Sequence, residues 1–403
     1  MLWRALVVTV VVASVCAFPR SGHKTSSDVI NQIISEGYPA ELHQVTTADG
    51  YILGVHRIPY GTDGPSEGRR PVVFVMHGLM GASTNFIFLG KENGIAYNLA
   101  DAGYDVWMGN ARGNVFSRQH VSLNPDDSQQ KSEFFDFSWE EIATIDVPAM
   151  VDYALAVSGE QTLHYVGHSQ GGTSFLVLNS MKPEYNEKFV SAHLLAGVGY
   201  MNNFPNSELR VAAQMTTVLY TMARSMGLVE IRSLDDIPGN LVGRSGNSRI
   251  DYCFGDIVYK EYCNMLGLNR IMGDTDTEGL GVGGASLKQF AHYGQNIRDK
   301  TFRRWDHGIL SNRLVYGEFN PPAYDLGRIT VPVTMHYTVS DELLDEQDVL
   351  AMVRDLPSAK ARKVARETFS HVDFVQAADV KELVTNYMID RLNRVERMLA
   401  GLE

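Results

Sequence analysis

One pentapeptide, Gly167-His168-Ser169-Gln170-Gly171, constrains the fold of this chain more than any other feature. An apolar run, Leu163 to Val166, precedes it, and a helical pattern from Thr173 to Met181 follows it. In a sharp strand-to-helix turn, the two outer glycines avoid collisions, and the central serine hydroxyl is exposed at the end of the strand. The bare motif also fits an ordinary glycine-rich turn, but its place between strand and helix predicts that Ser169 is a nucleophile.

The segments on either side of this turn alternate between strands and helices. Pro71 to Met76 is a continuous apolar run, which is typical of a strand buried on both faces of a parallel sheet. The alternation predicts an α/β fold with a mostly parallel sheet flanked by helices. It also predicts a helix from Phe137 to Val157, a last strand from Val364 to Phe369 and a last helix from about Val375 to Leu399.

The alternation stops between residues 203 and 324, where the sequence is rich in Met and Gly and partly helical. The simplest interpretation is a catalytic core formed by residues 18–202 and 325–403, interrupted by a cap or lid insertion over 203–324. No internal repeat or low-complexity stretch suggests another organisation.

A serine hydroxyl needs a base, and in this fold an acidic residue and then a histidine follow the serine along the chain. Asp341 comes directly after the strand predicted at Val331 to Val339, where the acid belongs. Asp345 and Asp348 are alternatives, although carboxylates at the start of a helix account for both of them.

Among the histidines, His371 has the required order, because it lies between the last predicted strand and the last predicted helix. His336 lies inside a strand, and His292 and His307 lie in the predicted cap. We therefore predict His371 as the general base.

Two backbone N–H groups should stabilise the oxyanion. One is expected from Gln170, the residue after the nucleophile, and the other from the loop His77 to Gly81, where we predict Leu79. The alternative for this loop is a simple tight turn.

The charge of the chain limits its partners. Its formal net charge is -12, so it should not bind nucleic acid or dock on anionic membranes by charge alone. No metal-ligand spacing is present, and the chemistry above requires no cofactor.

Residues 1–17 are typical of a cleaved export signal, with Arg4, a short apolar run and small residues at Val15 and Ala17; an anchor or a buried strand is the alternative. No later apolar run is long enough to cross a bilayer. An exported chain favours a disulfide between Cys253 and Cys263, although two buried thiols remain the alternative.

Several motifs together resemble the animal acid lipases, the gastric and lysosomal acid lipase family of the α/β-hydrolase superfamily. They are Asp49-Gly50-Tyr51-Ile52-Leu53, His77-Gly78-Leu79, Asp105-Val106-Trp107-Met108-Gly109-Asn110, the pentapeptide and His371-Val372-Asp373-Phe374. The resemblance runs from about Val29 to the end. It implies the α/β-hydrolase fold, hydrolysis of triacylglycerols or cholesteryl esters at an oil–water interface, and a mobile lid. It also supports Ser169, Asp341 and His371 as a triad, Leu79 and Gln170 as oxyanion donors, and a Cys253–Cys263 disulfide.

The predicted cap matches this family least well, and no N-glycosylation sequon is present. Both points favour an extracellular, digestive enzyme of insect type over a lysosomal one. A stripe of apolar residues (Met215, Val218, Leu219, Met222 and Met226) follows helical spacing, which fits either the cap core or a lipid-facing surface.

The sequence does not decide between three activities. A secreted lipase is our leading hypothesis. A soluble carboxylesterase or thioesterase would use the same residues, and a lipid-binding protein without turnover would need no nucleophile. Nothing in the sequence indicates the oligomeric state.

Overall fold

The structure is a computed structural model that describes residues 25–65, 68–231 and 283–402. Its strands are β1 Glu41–Thr46, β2 Tyr51–Ile58, β3 Val72–Met76, β4 Asp105–Gly109, β5 Gln119–His120, β6 Leu163–His168, β7 Phe189–Leu195, β8 Glu230–Ile231, β9 Ala285–Ser286, β10 Val333–Tyr337 and β11 Ala359–Lys363.

The α-helices are α1 Ser26–Ser35, α2 Gly90–Asn93, α3 Ile95–Asp101, α4 Lys131–Phe134, α5 Trp139–Glu141, α6 Val147–Ser158, α7 Gln170–Met181, α8 Ser207–Ala213, α9 Thr216–Ser225, α10 Leu287–Asp299, α11 Ile309–Tyr316, α12 Glu346–Asp355, α13 Asp373–Gln376 and α14 Asn386–Leu399. Short 3₁₀ helices cover Ser83–Phe86, Pro183–Lys188 and Leu326–Arg328, and π-helical turns cover Ile142–Asp146 and Lys381–Thr385. None of the helices in the described ranges is both long and apolar enough to cross a membrane.

One large sheet organises the protein. Its strand order is β1-β2-β4-β3-β6-β7-β10-β11, with β5 beside β2. The strands β4, β3, β6, β7, β10 and β11 run parallel, and the hairpin of β1 and β2 adds antiparallel pairing at one edge. A separate antiparallel pair joins β8 and β9. The predicted α/β class and mostly parallel sheet are therefore confirmed.

The central strands are buried on both faces because helices cover both sides of the sheet. Every residue of β3, β4 and β6 is buried, as the continuous apolar run of β3 predicts. The parallel strands all end at one edge of the sheet, and the loops that follow β3, β6 and β10 meet there.

The prediction of a last strand at Val364 to Phe369 is wrong. The strand lies at Ala359–Lys363, and Val364 only adds a backbone hydrogen bond to Tyr337 after its end. This strand is the sheet edge, where Lys360 and Lys363 are exposed to solvent and Arg362 is partly exposed. Charged side chains discourage pairing at sheet edges, so the apolar signal that predicts strands is absent here.

Two helices also differ from their predicted form. The helix predicted from Phe137 to Val157 begins at Trp139, after the capping residue Ser138, and contains a π-helical turn. The single helix predicted from about Val375 to Leu399 is divided, because the backbone is extended at Ala377.

The division into a core and a cap over residues 203–324 stays a prediction, since residues 232–282 lie outside the described ranges. The predicted export signal, 1–17, and the Cys253–Cys263 pair also lie outside them.

Candidate active site

The turn after β6 adopts a strained conformation at Ser169. This residue has φ +52° and ψ −115°, a combination that non-glycine residues rarely adopt, and α7 begins directly after it. A Cβ atom at Gly167 would lie 2.6 Å from the backbone of Gly171, and one at Gly171 would lie 2.2 Å from the carbonyl oxygen of Met76. Both glycines of the pentapeptide are therefore required by close backbone packing.

The structure brings the three predicted catalytic residues together. The Nε2 atom of His371 lies 2.8 Å from the Oγ atom of Ser169, and its Nδ1 atom lies 2.8 Å from a carboxylate oxygen of Asp341. Ser169, His371 and Asp341 are 8%, 3% and 5% exposed, so their hydrogen bonds lie in a largely water-excluded environment. In such an environment, charge-assisted hydrogen bonds are stronger than in water.

The backbone after β10 fixes the Asp341 carboxylate. Its second oxygen accepts hydrogen bonds from the backbone N–H groups of Leu343 and Leu344, at 2.7 and 3.0 Å. The two alternative acids have other hydrogen-bond partners. Asp345 caps α12, and Asp348 accepts hydrogen bonds from Asn203.

The other histidines have different partners. His336 lies inside β10 and is hydrogen-bonded to His193 at 2.9 Å. His292 stacks on Trp139 with ring centroids 3.7 Å apart, and burial lowers its pKa to about 3. His307 packs beside Tyr316.

The two predicted oxyanion donors lie on segments that flank Ser169. Gln170 is the first residue of α7, so its backbone N–H group has no partner within the helix. Leu79 follows Gly78, where a Cβ atom would lie 2.9 Å from the Cβ atom of Ser169. Glycine thus lets this loop pack directly against the serine.

His77 orients the loop that carries Leu79. Its Nδ1 atom lies 2.7 Å from the carbonyl oxygen of Gly78, and its Nε2 atom accepts the backbone N–H of Ala111 at 3.1 Å. The Nδ1 atom therefore carries the proton and donates a hydrogen bond to the carbonyl oxygen of Gly78. Burial lowers the pKa of His77 to about 4, which keeps this neutral tautomer near neutral pH. In a trans peptide the N–H of Leu79 points away from the carbonyl that His77 holds.

Sequence reasoning missed the residues that support the site from a distance. His168 hydrogen-bonds to the backbone carbonyl of His371 at 2.9 Å. The side-chain amide of Gln170 donates to the side chain of Gln289 on α10 at 2.7 Å. Neither contact has a local signal, because each joins residues more than a hundred positions apart. The described residues contain no group of three or more His, Cys, Asp or Glu side chains placed to hold a metal ion.

Comparison with known families gives two matches. Residues 71–378, well over half of the chain, match the family model for the alpha/beta hydrolase fold. Residues 29–90 match the model for a partial alpha/beta-hydrolase lipase region, which covers most of α1, the β1–β2 hairpin and the loop after β3.

Individual proteins match along most of their length. Lipase 3 of Drosophila melanogaster is 37% identical over 93% of this chain and 95% of its own. The gastric triacylglycerol lipase of Rattus norvegicus is 34% identical over 92% and 93%, and that of Homo sapiens is 32% identical over 90% of each. A crystal structure from Acinetobacter baumannii, described provisionally as a lipase, has a TM-score of 0.51 at 14% identity. It covers 94% of this chain and 99% of its own, and supports the fold alone.

Proposed function

Because this chain belongs to the animal acid lipase family of the α/β-hydrolase superfamily, we propose that it hydrolyses carboxylic esters of neutral lipids with Ser169 as nucleophile. The observation that carries the proposal is the continuous hydrogen-bonded line from Ser169 through His371 to Asp341, on a strained strand-to-helix turn.

The reaction has two covalent half-reactions. His371 takes the Ser169 proton while Oγ attacks the ester carbonyl, and it then gives that proton to the leaving alcohol. The resulting acyl-enzyme is hydrolysed by a water molecule that His371 activates in the same way. The 2.8 Å separation between Nε2 and Oγ places the base within direct reach of the hydroxyl proton.

Asp341 acts through His371. Its carboxylate accepts a hydrogen bond from the Nδ1–H group, so Nε2 is left free to accept the proton of Ser169, and its negative charge stabilises the imidazolium that forms. Because two backbone N–H groups hold the carboxylate, the ring is oriented before substrate binds.

The tetrahedral intermediate needs donors aimed at its oxyanion. We assign the backbone N–H groups of Gln170 and Leu79 to this role. The N-terminus of α7 adds a favourable partial charge, and the His77 contact with Gly78 fixes the orientation of the Leu79 peptide.

Triacylglycerols are the proposed substrates, with cholesteryl esters as a second candidate. The names of the gastric relatives support this class. The apolar stripe on and beside α9 supports it independently. Met215, Met222 and Met226 are 54%, 53% and 58% exposed, which favours a lipid-facing surface over a buried cap core.

Met222→Glu tests the role of this stripe. We expect it to lower the hydrolysis of an emulsified triacylglycerol about tenfold, because a charge must be desolvated when the stripe meets lipid, while hydrolysis of a dissolved ester stays unchanged. Val121→Glu is the matched control, since Val121 is 65% exposed and lies just after β5. Equal emulsion activity in both variants would contradict a lipid-facing stripe.

We propose further that the chain is exported and acts in a digestive or other extracellular space. The support is the predicted signal at residues 1–17 and the cysteine pair Cys253–Cys263. Mass spectrometry of the secreted protein tests both features, with an N-terminus at Phe18 and a linked cysteine peptide as the expected results.

A serine-reactive phosphonate tests the nucleophile directly. We expect stoichiometric labelling of the peptide that contains Ser169, and none in Ser169→Ala. Absence of labelling in the folded wild type would favour a lipid-binding protein without turnover. Labelling combined with a preference for dissolved short esters would favour a soluble carboxylesterase or thioesterase.

A further inference from the structure

His168 lies beside three segments of the active site: the turn that carries Ser169, the loop that carries Gly78 and the loop that carries His371. It is the last residue of β6 and directly precedes Ser169. Its Nε2 atom lies 2.9 Å from the backbone carbonyl oxygen of His371, and its Nδ1 atom lies 3.3 Å from the position that a Cβ atom of Gly78 would take. The residue is 6% exposed.

The hydrogen bond to His371 fixes the direction of proton donation. A carbonyl oxygen can only accept a hydrogen bond, so Nε2 of His168 carries a proton and is the hydrogen-bond donor. Burial lowers the pKa of His168 to about 3, so the ring is neutral near neutral pH and its Nδ1 atom has no proton. His168 is therefore a hydrogen-bond donor of fixed tautomer.

The contact fixes a part of His371 that the other two members of the site do not hold. Asp341 and Ser169 each contact a ring nitrogen of His371, whereas His168 contacts its main chain. The backbone of the His371 loop is thus tied to the residue next to the nucleophile. A shift of about 1 Å between reacting groups can lower a rate by about 100-fold.

We propose that His168 is a positioning residue, which holds the His371 loop at the distance from Ser169 that proton transfer requires. The inference rests on the proposed function, because it assigns His168 a role in the same reaction. His168 does not touch the reacting atoms and exchanges no proton during turnover.

The test replaces His168 in three ways. Gln places its amide nitrogen near the position of the imidazole Nε2 and can still donate to the carbonyl. Leu and Asn remove that donor, and Asn provides the comparison if the Leu variant does not fold. Rates on a dissolved short-chain ester are divided by the concentration of sites that react with a phosphonate, so loss of folded protein does not count as loss of rate.

A second buried histidine of the same strand provides the matched control. His164 is hydrogen-bonded to Ser191 and Glu396. We expect His164→Leu to lower stability while kcat per titrated site stays within about twofold of wild type.

We expect His168→Leu or His168→Asn to lower kcat by about 10- to 100-fold at unchanged KM, and His168→Gln to recover most of it. The shape of the pH profile should stay the same, since a neutral donor does not titrate in the working range. Wild-type kcat in the Leu and Asn variants, failure of Gln to recover the rate, or a displaced pH profile would each overturn the inference. If wild type neither turns over an ester nor reacts with the phosphonate, the proposed function itself fails.

Discussion

Asp341→Asn is the substitution whose outcome the geometry defines most closely. One carboxylate oxygen of Asp341 faces Nδ1 of His371 at 2.8 Å, and the other accepts the N–H groups of Leu343 and Leu344 at 2.7 and 3.0 Å. An asparagine side chain has one oxygen and one NH₂ group, so it can match the wild-type pattern on one side only.

The two backbone donors determine which way the amide faces. If the NH₂ group faced Leu343 and Leu344, the buried N–H of Leu344 would lose its acceptor, at about 1–3 kcal/mol, and the partly buried N–H of Leu343 would also lose its acceptor. The oxygen therefore faces the backbone and the NH₂ group faces His371. A donor at Nδ1 selects the tautomer with its proton on Nε2, which cannot accept the proton of Ser169.

We expect kcat to fall about 10⁴-fold, the size of the effect of the same substitution in serine proteases. This loss corresponds to about 5.5 kcal/mol of transition-state stabilisation, at about 1.36 kcal/mol for each tenfold change. The assay is turnover of a dissolved short-chain ester, which avoids any effect of lipid binding.

Asp345→Asn is the matched control. Asp345 accepts a hydrogen bond from the backbone N–H of Gln347 at 2.7 Å and caps α12. Asparagine caps helices about as well as aspartate, so kcat should stay within about twofold of wild type. If Asp341→Asn kept more than a tenth of the activity, or if both variants lost the same amount, the assignment of Asp341 would be wrong.

Two further predictions concern stability. Gly171→Ala places a Cβ atom 2.2 Å from the carbonyl oxygen of Met76, so the free energy of unfolding should fall by about 1–3 kcal/mol. The control in urea denaturation is Gly68→Ala, because no atom lies within 4 Å of its added Cβ atom. Equal urea midpoints in the two variants would refute the clash. Burial lowers the pKa of His193 and His292 to about 3, against about 6.5 in the unfolded chain, so between these pH values the unfolded chain binds more protons. Stability should therefore fall as the pH drops below about 6.5, by about 2 kcal/mol per group at pH 5; urea midpoints that stay level or rise from pH 7 to pH 5 would contradict this.

The central part of the site could be predicted because its signals are local. Ser169 lies in a pentapeptide whose glycines follow from backbone packing, Asp341 lies in the loop after β10, and His371 lies in the loop after β11. Parallel strands bring their carboxyl ends to one edge of the sheet, so the order of elements alone places these residues near one another. The structure adds the distances, with Asp341 hydrogen-bonded to His371 and Asp345 at a helix cap.

The remainder depends on contacts that no local pattern encodes. The His168 contact with His371 joins residues 203 positions apart, and the strand Ala359–Lys363 lacks an apolar signal because it forms the sheet edge. The π-helical turn at Ile142–Asp146 has no signature in the periodicity of the sequence.

The proposed function is tested most directly by the hydrolysis of an emulsified long-chain triacylglycerol, with a dissolved short-chain ester measured alongside, by wild type and by Ser169→Ala. We expect wild type to release fatty acid from the emulsion and Ser169→Ala to lose that activity by at least about 10³-fold while remaining folded. Activity on the dissolved ester alone would contradict a lipase and indicate a soluble esterase. Activity that survives in Ser169→Ala, or that is absent from wild type on both substrates, would contradict the mechanism as a whole.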